Sequence, residues 1–150
     1  MIYGNIFLAE SVNNIKWKYA TTVDDKSIIN NIENKYNFKI PSILKTYLIK
    51  YNNGSPNLKR FKLKNGDERV FGSFVSLNAQ GDDSGDYIGV FINSFEINNG
   101  KSLKLFPFAL DPAGNVIGID KNGKVIFFDH ETDEYIYISN SFVEFLKSLY

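Results

Sequence analysis

An α+β domain, a mainly antiparallel sheet flanked by helices, is the fold class this sequence predicts, and three observations predict it. Apolar residues recur at helical spacing over residues 27–51 and again over 141–149. Between them lies a series of short strand-like runs rich in Phe, Val and Ile. The later runs are separated by breaks of two to five residues built from Gly, Asn and Asp. Connections that short join antiparallel neighbours, because a parallel return needs a crossover of about a dozen residues.

In chain order, Ile28, Ile32 and Tyr36 recur four apart with Ile29 beside them, which predicts a first helix from Ser27 with Asp24 or Asp25 as its N-cap. Pro41 opens a second helix whose face is Ile43, Leu44, Tyr47, Leu48 and Tyr51, and Asn52-Asn53-Gly54 ends it with residues that tolerate positive φ. Phe61 and Leu63 then alternate with lysines up to Asn65-Gly66, and Val70, Phe71, Phe74, Val75 and Leu77 follow. That is the pattern of a hairpin with a tight primed turn. Tyr87, Phe91 and Phe95 repeat every four residues behind Asp83 or Ser84, which predicts a helix between Asp82 and Ile97.

Four strands come next, centred on Phe106 to Ala109, Val116 to Ile119, Val125 to Phe128 and Tyr135 to Ile138. They are separated by Asp111-Pro112-Ala113-Gly114-Asn115, by Asn122-Gly123 and by His130-Glu131-Thr132-Asp133. A last helix opens with the capping box Ser141 to Glu144 and buries Phe142, Phe145, Leu146 and Leu149. No internal repeat or low-complexity linker divides the 150 residues, so one domain over 1–150 is expected.

Composition narrows the function classes. A hydrophobic fraction of 43%, with 13 Phe and 9 Tyr, supplies a core and excludes a disordered chain. The absence of cysteine removes disulfides, thiolate nucleophiles and Cys-based zinc sites. Residues 1–20 lack a basic start followed by a long apolar run, so neither export nor membrane anchoring is indicated and a cytoplasmic home is expected. Seventeen basic and seventeen acidic residues cancel, and no global field recommends nucleic acid or a membrane as partner. Charge is instead local: Lys and Arg crowd 59–64, as on a protected edge strand with Phe61 turned inward, whereas 129–134 holds four carboxylates and neither Lys nor Arg.

Two stretches carry a resemblance. The first is Glu33, then Ile40-Pro41, Tyr47-Leu48 and Asn53-Gly54-Ser55-Pro56. The second, more specific, runs Phe106-Pro107-Phe108-Ala109-Leu110-Asp111-Pro112-Ala113-Gly114-Asn115 and resumes at Val125-Ile126-Phe127-Phe128-Asp129-His130-Glu131. Over about residues 24–150 the chain resembles the SUKH superfamily, which includes the Smi/Knr-type regulators of cell-wall synthesis and many bacterial immunity proteins. Ser55, Ala109 and Phe128 depart from the family's usual Gly, Gly and Trp. The resemblance implies stoichiometric binding of a cognate toxin, encoded nearby, without catalysis or cofactor. An interaction module related to the cell-wall regulators is the alternative. The motif residues Glu33, Pro41, Gly54, Pro107, Asp111, Gly114, Asn115, Asp129, His130 and Glu131 are expected to be structural.

Asp111, Asn115, Asp129, His130 and Glu131 are also the types that bind a divalent ion or share a proton. Turn chemistry explains each of them more simply: Asp and Asn side chains bond back to nearby backbone amides, and Gly114 supplies an unusual φ. The only histidine follows an apolar strand, and no Gly-x-Ser-x-Gly elbow or phosphate loop is present. The acidic groups Asp82, Asp83 and Asp86, and Asp129, Glu131, Asp133 and Glu134, are the candidate toxin-binding residues. A toxin with a positive substrate groove, such as a nuclease, gains association rate from such a match.

Overall fold

The computed structural model describes residues 12–78 and 87–150. After a 3₁₀ turn at Val12–Asn14, the described elements are β1 (Trp17–Lys18), α1 (Ser27–Tyr36), α2 (Ser42–Lys50), β2 (Ser55–Pro56), β3 (Arg60–Lys62), β4 (Glu68–Val70) and β5 (Ser73–Phe74). They continue with α3 (Ile88–Ile92), β6 (Glu96–Ile97), β7 (Ser102–Leu103), β8 (Phe106–Leu110), β9 (Val116–Ile119), β10 (Val125–Asp129), β11 (Glu134–Ser139) and α4 (Phe142–Ser148). This is an α+β fold around a five-stranded antiparallel sheet of order β11-β10-β9-β8-β5.

Every residue of β8 and β9 is buried, so the centre of the sheet is covered on both faces. Successive strand residues point to opposite faces, and β10 shows what covers each. Phe127 meets Phe61, while Phe128 packs edge-on against Phe95 at 5.1 Å and against Tyr135 at 4.8 Å. On the Phe127 side α4 supplies Phe142 and Phe145, which meet Phe108 at 5.3 and 6.2 Å, and Phe145 lies 5.2 Å from Phe61. Phe108 is the extra residue of a bulge, since Pro107 pairs with Gly118 and Ala109 with Ile117. Pro107, which has no amide to donate, stands beyond the two residues that β5 pairs, so no ladder bond is lost there.

Local chemistry explains most boundaries. The N-cap position of α1 falls at Lys26, which makes no side-chain cap bond, so neither Asp24 nor Asp25 is the N-cap the sequence predicts. Asp25, one residue earlier, accepts the Ser27 amide and hydroxyl, and these bonds hold its pKa below the usual 3.8. α2 follows Pro41, whose carbonyl accepts the Lys45 amide, and Asn53 takes φ 60° just beyond it. Glu33 fixes the connector between the two helices: one carboxylate oxygen accepts the Ile40 amide at 2.8 Å and the other pairs with Lys45 at 2.7 Å. Ser141 Oγ accepts the Glu144 amide at 3.1 Å and caps α4.

Beyond the α1 cap, the structure differs from the sequence reading in three places. The helix expected over 82–97 is, among the described residues, the short α3 and a 3₁₀ turn. Its buried stripe is Ile88, Ile92 and Phe95 rather than Tyr87, Phe91 and Phe95, because two apolar series one residue out of phase coexist there. The proposed caps Asp83 and Ser84 lie outside the described residues. The β3–β4 turn is not a two-residue primed turn: Leu63 bonds to Asp67 across three residues, and the Gly66 amide bonds to the Leu63 carbonyl with Gly66 at φ 91°. Asn65 spends its side chain on the Asp67 amide and keeps a negative φ. Finally, β1–β2 and β6–β7 pair over two residues each, too short for alternation to register.

Candidate binding site

Three hairpin turns share one plan. At 63–67, 111–115 and 120–124 the first residue's amide donates to the fifth residue's carbonyl, the fourth residue is a glycine at positive φ, and its amide donates back to the first carbonyl. In the second and third turns an aspartate opens the loop and its Oδ1 accepts the amides of the third and fifth residues. Asp120 does only this. Asp111 is buried to 8% exposure and its second oxygen is also used, accepting the Asn115 side-chain amide at 2.9 Å.

Asn115 then extends the network to the β10–β11 turn. Its Oδ1 accepts the His130 amide at 3.0 Å, and His130 Nε2 lies 3.0 Å from the Ala113 carbonyl. A carbonyl only accepts, so the imidazole donates from Nε2. Asp111, Gly114, Asn115 and His130 therefore join two neighbouring turns at one end of the sheet. Across Gly114, at φ 86°, the imidazole is 3.9 Å from where a Cβ would sit, so what this glycine supplies is its backbone angle.

The β10–β11 turn turns its carboxylates elsewhere. Asp129 Oδ1 accepts the Glu131 amide at 2.9 Å, whereas the side chains of Glu131, Asp133 and Glu134 are exposed and have no cation partner among the described residues. Asp133 takes φ 58° to close the loop. Its charge acts on Tyr135, whose phenol is pushed above its usual 10.0 first by burial and then by Asp133. Asp82, Asp83 and Asp86, the other acidic candidates, lie outside the described residues.

A second feature was invisible in the sequence. Asn53 and Ser55 from the first motif stretch and Leu110, Asp111 and Gly114 from the second line one open cleft of about 680 Å³. Gly54, between Asn53 and Ser55, is packed so closely that a Cβ there would come within 2.9 Å of Ala20 and of the Tyr51 carbonyl. At the rim stands Tyr19, 84% exposed and at φ 62°, a conformation that bulky side chains seldom take. No motif or periodicity marks Tyr19, which directly follows β1.

Among the described residues no three His, Asp or Glu side chains gather closely enough to hold a metal ion, and no helix is long and apolar enough to cross a membrane. The family model that matches is described as the SMI1 / KNR4 family (SUKH-1), over residues 25–148. The chain belongs to this family. The SUKH-1 match starts at Asp25, just before α1, ends with the last residue of α4, and takes in both motif stretches and the whole five-stranded sheet. No curated protein matches the chain.

Proposed function

We propose that this SUKH-1 protein is an immunity protein, which binds a cognate toxin stoichiometrically in the cytoplasm and carries out no chemistry itself. The observation that carries this reading is the β10–β11 turn, where Glu131, Asp133 and Glu134 stand exposed and free of cation partners among the described residues. Unneutralised carboxylates on a rigid hairpin attract a basic surface and speed encounter with it. A toxin with a positive substrate groove, such as a nuclease, fits that chemistry. Asp82, Asp83 and Asp86 remain candidates for contact with such a toxin on the strength of their sequence alone.

Of the groups a catalytic reading would need, Asp111, Asp129 and His130, two are already used within the turns. Both oxygens of Asp111 and the Nε2 proton of His130 are committed to hydrogen bonds within the turns. The test is co-expression of the tagged protein with the product of the neighbouring gene, read by pull-down and by survival of the host. An equimolar complex that silences a toxic partner supports the reading, and charge reversal at Glu131 and Asp133 then slows association. Failure to bind that product or any toxin-like protein moves the function to a regulatory interaction module.

A further inference from the structure

The five-stranded sheet ends on two unlike edges. β5 is two residues long, and the Phe74 amide donates to the Gly54 carbonyl at 2.9 Å, so the segment around β2 closes that side. β11 runs for six residues and, among the described residues, pairs only with β10. Alternate backbone N–H and C=O groups of β11 therefore face outward. Edges left open in this way are usually blunted by Lys, Pro or bulges. Glu134–Ser139 contains neither Lys nor Pro, and its irregularity is confined to Ile138, which leaves Glu134 to Tyr137 regular.

We propose that this edge is a homodimer seam, in which β11 pairs antiparallel with β11 of a second copy about a two-fold axis at Ile136. The pleat restricts the axis to a residue position, and Ile136 is the position that sets the two tyrosines of β11 against each other. Residues directly opposite one another in an antiparallel pair share a face, so a continuous sheet needs the axis to pass through a residue rather than between two. With the axis at Ile136, that residue meets itself, and Tyr135 of each copy meets Tyr137 of the other. Tyr135 is 37% exposed and Tyr137 is half-buried, so the pairing covers aromatic surface on both.

The charges flanking β11 fit a second copy. The carboxylates of Asp129, Glu131, Asp133 and Glu134 lie at the start of β11, where Lys104, 4.0 Å from the Tyr135 ring, offsets only one of them. Lys64 and Lys124 lie 4.6 and 5.9 Å from the Tyr137 ring, toward its end. An antiparallel pair sets the acidic end of each copy against the basic end of the other, so one strand carries both halves of the match. Beyond the regular residues, the turn that holds Asp133 of one copy lies toward the Ser139 end of the other, where Lys124 adjoins Val125, the partner of Ser139, and attraction between that lysine and that aspartate favours the pairing.

Sedimentation velocity of the full chain, over a concentration series at low and high salt, tests this together with amide exchange. A concentration-dependent dimer weakened by salt is expected, with added protection confined to amides of β11. Asp133→Lys and Lys124→Asp are both at exposed positions and should each weaken the dimer about tenfold, while the double variant restores it. A monomer at every concentration, or a dimer indifferent to both reversals, overturns the proposal. So does protection of β11 that appears only on adding a toxin, which would assign the edge to that partner. No toxin is needed for the primary measurement, so its failure and failure of the immunity reading are separate results.

Discussion

The turn at Asp111 and the turn at 129–134 stand side by side at one end of the sheet, joined through Asn115 and His130, yet they spend their carboxylates differently. Asp111 is buried and accepts three hydrogen bonds within its own loop. Glu131, Asp133 and Glu134 are exposed and meet no cation among the described residues. Residue type is the same and the consequence opposite: one acid builds the hairpin, and the others are available to something outside it.

Substitution separates the two roles, and the largest effect is expected at Asp111. Asp111→Ala removes the three hydrogen bonds that the buried carboxylate accepts from Ala113 and Asn115 and should cost about 2–3 kcal/mol in urea unfolding, since bonds to a charged group contribute most. Asp120→Ala, in the same turn plan but partly exposed and without the Asn115 link, should cost about 1 kcal/mol. Equal losses at the two positions would show that burial and the second oxygen contribute nothing. Gly114→Ala and Gly123→Ala, at φ 86° and 80°, should each cost about 1 kcal/mol, because no neighbouring atom crowds either Cβ and only the backbone angle is strained.

Smaller effects belong to the acidic turn. Glu131→Lys and Asp133→Lys should leave unfolding within about 0.5 kcal/mol of the parent while slowing association with a basic partner. A stability loss as large as that of Asp111→Ala would make the turn structural after all. Titration offers the finest probe. The Tyr135 phenol is raised above 10.0 in the folded chain, so the unfolded chain ionises first and stability falls as pH climbs past that value. Tyr135→Phe should flatten that alkaline decline, and Asp133→Asn should reduce it less, because burial is the larger cause. Denaturant midpoints between neutral pH and alkaline pH read both.

Much of this was legible in the sequence because it depends on neighbours along the chain. β8 to β11 were bounded by Gly, Asn and Asp clusters, α2 by Pro41 and Asn53, and α4 by Ser141 and Glu144, each acting within a few residues. The acidic run at 129–134 was equally plain. What stayed hidden depends on register. The Asn115 to His130 bond spans fifteen residues and exists only once β9, β10 and β11 are aligned. The cleft that gathers Asn53 and Asp111 needs β5 beside β8, and no neighbouring residue marks Tyr19 for its positive φ. α3 was misphased because Ile88 and Ile92 offer a second apolar series that only packing distinguishes from Tyr87 and Phe91.

The link from Ala113 through His130, and from Asn115 to the same residue, has a mechanical consequence. Hairpins at a sheet's end ordinarily fray one at a time, each with its own opening free energy. Here the β8–β9 turn cannot peel away without releasing the β10–β11 turn, because His130 is held by both its amide and its ring. The two hairpins should therefore open as one cooperative unit, with amides of both turns exchanging at a common rate. Such a coupled pair of turns presents the acidic loop as a stiff surface, one that would lose little freedom on binding.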